Sequence, residues 1–179
     1  DQESHIEVTR EIANRFNNMY GDVLPIPEAL IGNESTTLVG TDGKAKMSKS
    51  LGNCIYLSDN TEEVKKKVMG MYTDPNRIHG DEPGQIEGNP VFIYHDLFNP
   101  NRSEVADLKD RYQKGTVKDV EVKEKLAVAI SNFLDPIRAK RSEFENNPEL
   151  IDQILSEGTI KARAEAQETL KLTKEAMGF

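Results

Sequence analysis

Apolar side chains recur along this chain mainly at helical spacing. Ile6, Ala13, Phe16 and Tyr20, with Thr9 between them, alternate steps of three and four, so residues 4–20 read as one helix with a single packing face. Gly21 stands where a helix C′ residue belongs, and Pro25 and Pro27 exclude helix after it. Leu38-Val39 ahead of Gly40 predicts a short strand. Beyond residue 53 the pattern is helical again. Asn60 with Glu63 forms a capping box ahead of Val64, Val68 and Met71, with Ser58 as an alternative start. Residues 73–90, rich in proline and glycine, are the longest loop and read as a linker or contact surface. Pro90 suits the first position of a helix over 91–98, and another helix over 103–113 ends at Gly115. The longest pattern runs over about 119–146 with Val122, Leu126, Val128, Ile130, Phe133 and Leu134 as its core; Pro136 should kink or divide it. After Pro148, the apolar patch Leu150, Ile151, Ile154 and Leu155 is interrupted at Gly158, and a polar helix continues to Met177.

The stretch with the most chemistry lies between the strand and these helices. Lys44 to Ser50 places three lysines and two serines without an acid, just after a Gly-containing turn. Lysines supply mobile point charges and hydroxyls supply short hydrogen bonds, a combination that suits polyphosphate oxygens. Gly40, Gly43 and Gly52 let the segment bend. It is not a P-loop, because Gly43-Lys44 is followed by Ala45 where Ser or Thr is required. A helix, a turn and a strand feeding a phosphate loop read as the end of a parallel α/β sheet, whose ligands sit at strand C-terminal ends.

Composition narrows this picture. The net charge of −8 argues against nonspecific nucleic-acid coating but leaves room for a structured RNA on a local basic face. Five basic and nine acidic residues precede position 61, and eighteen and twenty-two follow, so each part carries −4 and neither is a basic domain. One cysteine, Cys54, rules out an internal disulfide framework and fits a reducing compartment. His5, His79 and His95 are far apart in sequence and give no zinc pattern. No apolar run approaches the roughly 20 residues of a membrane-spanning helix. The chain opens on Asp1-Gln2-Glu3 without an initiator methionine, which reads as a piece of a longer protein.

Two motifs support a resemblance. Lys46-Met47-Ser48-Lys49-Ser50, followed by Leu51-Gly52-Asn53, matches the lysine–serine signature of class I aminoacyl-tRNA synthetases. Asp1-Gln2, His5-Ile6-Glu7 and Thr9-Arg10, continuing through Ile12-Ala13 and Arg15-Phe16-Asn17, resembles the helix after an active-site Asp-Gln pair in bacterial-type tryptophanyl-tRNA synthetases. Met71–Asn76 and Gly88–Phe92 also resemble one branch of that family. The tyrosyl family shares the fold and the Asp-Gln pair but usually continues differently, so tyrosine is the runner-up amino acid. A noncatalytic helical module that binds RNA or a protein partner and retains relic motifs is the alternative of another class.

The resemblance implies a mostly α chain: the terminal piece of a Rossmann-type α/β catalytic domain over 1–60, followed by an all-helical anticodon-binding domain over 61–179. It implies ATP-dependent activation of L-tryptophan and transfer to tRNA(Trp), with Mg²⁺ on the nucleotide, in a cytoplasmic homodimer. By the same resemblance, Lys49 contacts the leaving pyrophosphate with Lys46 assisting, and Ser48 and Ser50 bind phosphate oxygens. Met47 anchors the loop and Leu38 borders the ATP site. Asp1 and Gln2 contact ATP ribose and amino acid. The family's His-Ile-Gly-His-type motif is not in this sequence, so the piece alone is expected to be inactive. Lys65-Lys66-Lys67 and Arg138, Lys140 and Arg141 are basic candidates for tRNA, although charged helix faces are usually only solvated.

Overall fold

The computed structural model describes residues 2–30, 38–44, 46–77 and 79–179. Among them are six α-helices, so the chain is mostly helical: α1 (Glu3–Tyr20), α2 (Thr61–Met69), α3 (Pro90–Phe98), α4 (Arg102–Gln113), α5 (Asp119–Glu145) and α6 (Pro148–Met177). They divide between two compact units, one of Thr37–Ser142 and one of Asp1–Thr36 with Glu143–Phe179.

In the Thr37–Ser142 unit, α2 to α5 enclose one core. Val64, Val68 and Met71 meet Val91, Phe92 and Tyr94, Leu108 and Tyr112, and Val122, Leu126, Ile130 and Leu134. The helix starts follow local chemistry. Asn60 accepts the Glu63 N–H at 2.9 Å while Glu63 accepts the Asn60 N–H at 2.9 Å, so both limbs of the capping box form. Asn89 accepts the Val91 N–H at 3.0 Å, with Pro90 opening α3. Val128, expected in the core, is 60% exposed, because it projects away from the row Val122, Leu126, Ile130 and Leu134. Phe133 remains 47% exposed, its ring against Phe98 at 5.1 Å. α5 passes through Pro136 as one helix. Near that proline, Arg138 donates to the Ser131 carbonyl at 3.1 Å and to the Asp59 carbonyl at 2.7 Å.

Buried polar groups join the helices. His95 is fully buried; its Nε2 lies 3.0 Å from the Val122 carbonyl and its Nδ1 3.2 Å from the Asn99 amide nitrogen. A carbonyl can only accept, so Nε2 carries the proton and Nδ1 accepts. Burial holds this imidazole below its ordinary pKa. Lys123 donates to the Met71 carbonyl at 2.7 Å and the Met69 carbonyl at 3.1 Å, a cation at the C-terminal end of α2, and burial lowers its pKa. In the long loop, Arg77 donates to the Glu82 carbonyl at 2.7 Å, pairs with Asp119 at 3.0 Å and stacks over the Tyr112 ring at 4.2 Å. The expected linker or contact surface is thus fastened to the start of α5 by a buried arginine.

In the other unit, Gly21 ends α1 with φ +97°. Asn17 then accepts from the N–H groups of Val23 and Leu24, and Arg10 donates to the Pro27 carbonyl at 3.0 Å, so the following segment turns back along its helix. Of the α1 face expected to pack, only Ala13 is buried. α6 runs unbroken through Gly158, where an interruption was expected, and buries none of its residues.

Candidate functional site

The lysine–serine loop is a small hairpin mounted on the α2–α5 core. Val39 and Lys46 form an isolated antiparallel bridge, and Met47 N–H donates to the Leu38 carbonyl at 2.9 Å. The expected strand at Leu38-Val39 is therefore only this bridge, paired within its own loop. Gly43, at φ +69°, closes the turn by donating to the Gly40 carbonyl at 2.9 Å. A Cβ on Gly43 would lie 2.6 Å from the Tyr72 ring, so glycine is also required for the close approach.

The return limb ends in a 3-10 turn over Lys49–Leu51, stopped by Gly52 in the left-handed region at φ +67°. Asn53 follows, buried, with its side chain inside the hairpin. Its Oδ1 accepts the Ser48 N–H at 2.8 Å and its Nδ2 donates to Asp42 Oδ2 at 3.2 Å. The helical core grips the outgoing limb by hydrogen bonds. The Tyr94 hydroxyl donates to the Val39 carbonyl at 2.7 Å and Tyr72 N–H donates to the Thr41 carbonyl at 2.9 Å. Burial first, then the neighbouring Cys54 and Asp42, push the Tyr94 phenol up to about 12, so it stays a donor at any working pH.

This mounting sorts the side chains. Leu38 and Met47 pack against the apolar core, as the anchoring role of Met47 requires. Lys46, Lys49 and Ser50 are exposed, and the Ser48 and Ser50 hydroxyls lie 2.9 Å apart. Among the described residues Lys49 has no ion-pair partner. Six of the expected site residues, Leu38, Lys46, Met47, Ser48, Lys49 and Ser50, are therefore brought together in one loop. Gln2 belongs to the other unit, where its carbonyl accepts from His5 and Ile6 at the start of α1. Asp1 lies outside the described residues.

Two of the basic candidates, Lys67 and Arg138, are engaged within the fold. Lys67 pairs with Asp59 and lies 4.2 Å from the Tyr56 ring centre, while Arg138 binds the Asp59 carbonyl and Asp135. Lys67 thus binds the segment ahead of its own helix, and Arg138 ties α5 to that same segment. Asn53 and Tyr72 lie within the matched motifs but, like Tyr94, carry no expected role in the sequence; the signal for Asn53 is Gly40, whose missing side chain leaves the space that Asn53 fills. Among the described residues no group of three His, Cys, Asp or Glu side chains could hold a metal ion, and no helix is long and apolar enough to cross a membrane.

Comparison with known proteins agrees with this geometry. A family model described as tRNA synthetases class I (W and Y) matches residues 1–135. The tryptophan–tRNA ligase of Treponema pallidum is 57% identical over 179 residues, covering 100% of this chain and 53% of that protein. That of Borreliella burgdorferi is 54% identical, again over 100% of this chain and 51% of the relative. The crystal structure of tryptophanyl-tRNA synthetase from Campylobacter jejuni complexed with ADP and tryptophan superposes with a TM-score of 0.77 at 32% identity, over 99% of this chain and 55% of that one. The chain spans about half the length of the curated relatives it matches. A family match over three quarters of its length, with the lysine–serine loop inside it, makes this chain a member of the class I tRNA synthetases (W and Y).

Proposed function

We propose that the full-length protein is a cytoplasmic tryptophan–tRNA ligase that works as a homodimer. In the reaction, the tryptophan carboxylate attacks the α-phosphorus of ATP, pyrophosphate leaves, and the aminoacyl group passes from the adenylate to the terminal ribose of tRNA(Trp). The observation that carries this reading is the loop: Lys46 and Lys49 stand exposed on a hairpin fixed to the core by Leu38 and Met47. Negative charge grows on the departing pyrophosphate, and cations on a closing loop stabilise it more than the ground state. Lys49 makes the main contact, Lys46 assists, and the Ser48 and Ser50 hydroxyls exchange their mutual hydrogen bond for phosphate oxygens. The choice of tryptophan over tyrosine rests on the relatives' 57% and 54% identity.

Asp1 and Gln2 contribute the ATP-ribose and amino-acid contacts. Residues 1–60 form the end of a Rossmann-type catalytic domain and 61–179 the helical, anticodon-binding domain. Residues 44–50 offer cations and hydroxyls without a carboxylate, a donor set for phosphate oxygens and not for a divalent cation. Mg²⁺ accordingly belongs to the nucleotide's phosphates and has no resident site among these residues.

The test is amino-acid-dependent exchange of pyrophosphate into ATP by the full-length protein. Exchange with tryptophan and not with tyrosine is expected. Exchange with tyrosine alone would reassign the amino acid, and silence with both would favour a noncatalytic module.

A further inference from the structure

The hydrogen bonds inside the loop converge on one buried side chain, which also faces the Cys54 thiol at 4.0 Å. Asn53 is 3% exposed. Its Oδ1 accepts the Ser48 N–H at 2.8 Å; its Nδ2 donates to Asp42 Oδ2 at 3.2 Å and lies 3.4 Å from the Lys46 carbonyl. Its own carbonyl accepts the Thr41 N–H at 3.0 Å. The carboxamide thus touches the outgoing limb, the returning limb and the residue before the 3-10 turn.

These partners fix its orientation. An N–H needs an oxygen opposite, and a carboxylate and a carbonyl need an N–H₂, so the amide fits one way round. Aspartate would lack the donor, and serine or alanine could not span the hairpin. The space is equally specific: a Cβ on Gly40 would lie 2.0 Å from Nδ2. Residues 40 and 53 are matched as a small and a filling partner.

We infer that Asn53 is the positioning residue of the lysine–serine loop, setting where Lys46 and Lys49 stand when a polyphosphate arrives; this rests on the ATP-site reading above. The side chain does not itself face the nucleotide. It holds the Ser48 N–H and the Lys46 backbone in register, so the two lysines leave the hairpin from fixed points three residues apart.

The test compares kinetic constants in the full-length protein. Asn53→Asp keeps the size and the acceptor for Ser48, but sets a carboxylate against Asp42 and the Lys46 carbonyl. The expected result is a fall of about 10²-fold in kcat for ATP–pyrophosphate exchange, the scale of a misplacement near 1 Å, with the KM for tryptophan unchanged. Adding Asp42→Asn restores a donor facing an acceptor and should recover about tenfold of the loss. A purely structural asparagine would lower the thermal midpoint and leave the constants of the folded enzyme where they were, which would overturn the inference. Lys49→Ala is assayed alongside. If it leaves kcat unchanged, the loop is not the phosphate site and both readings fall; if it lowers kcat while Asn53→Asp does not, the positioning role alone falls. Amide exchange in the unsubstituted protein gives an answer that needs no variant. Ser48 N–H should exchange more slowly than the neighbouring Lys49 and Ser50, and equal rates would overturn the role.

Discussion

Lys49 and His95 are opposite cases of a titratable side chain in a largely acidic protein. Lys49 is exposed on its hairpin without an ion-pair partner among the described residues, so its charge is available to an incoming anion. Replacing it by alanine in the full-length protein should lower kcat for pyrophosphate exchange by about 10²–10³, the usual cost of one transition-state donor, with a smaller effect on the KM for ATP. His95 is kept neutral by burial, which outweighs the opposite pull of its bond to the Val122 carbonyl and of the Glu104 and Asp96 carboxylates. Its folded pKa lies below 6.5, so below that pH the unfolded chain binds more protons than the folded one. The stability that depends on neutral His95 is complete above pH 6.5 and is lost as pH falls towards the folded value. Urea midpoints measured across this window should decline on acidification, and His95→Gln, which keeps a donor for the Val122 carbonyl, should flatten the decline.

Among the elements, those with a chemical start signal in the sequence proved the most legible. The capping box at Asn60 is present in full, and Asn60→Ala should cost about 1 kcal/mol in urea unfolding. Pro90 opens α3, and α4 ends at Gln113 as its pattern indicates. The glycine within α6 interrupts nothing. Gly158 sits within α6 with nothing near its missing side chain, so it costs the helix only the backbone entropy of glycine. Gly158→Ala should therefore raise the helix's stability by about 0.5–1 kcal/mol, seen as added helicity on heating. The expected strand at Leu38-Val39 shortens to a bridge for another reason: apolar residues ahead of a turn show a preference for extended backbone but not how far their pairing continues. At the candidate site, the lysines and serines were legible because their chemistry is local. Asn53 was not, because its role depends on Gly40 and Asp42 across the hairpin, a relation that linear spacing does not display.

At the scale of the molecule, burial is unevenly shared. The core lies within α2 to α5, whereas α6 buries none of its residues and α1 buries only Ala13. Local opening follows burial, so amide exchange in this chain should be slowest at Leu108, Leu126 and Ile130 and markedly faster along α6. Comparable protection of the two regions would contradict this distribution. The same unevenness gives the chain a built-in reporter. Its one cysteine, Cys54, is buried directly after Asn53, at the foot of the lysine–serine hairpin. A thiol reagent reaches that sulfur only when the foot of the hairpin comes away from the core. The speed of labelling therefore follows the share of time the hairpin stands open, and a bound nucleotide that clamps the hairpin will slow labelling at a native side chain, with no engineered probe.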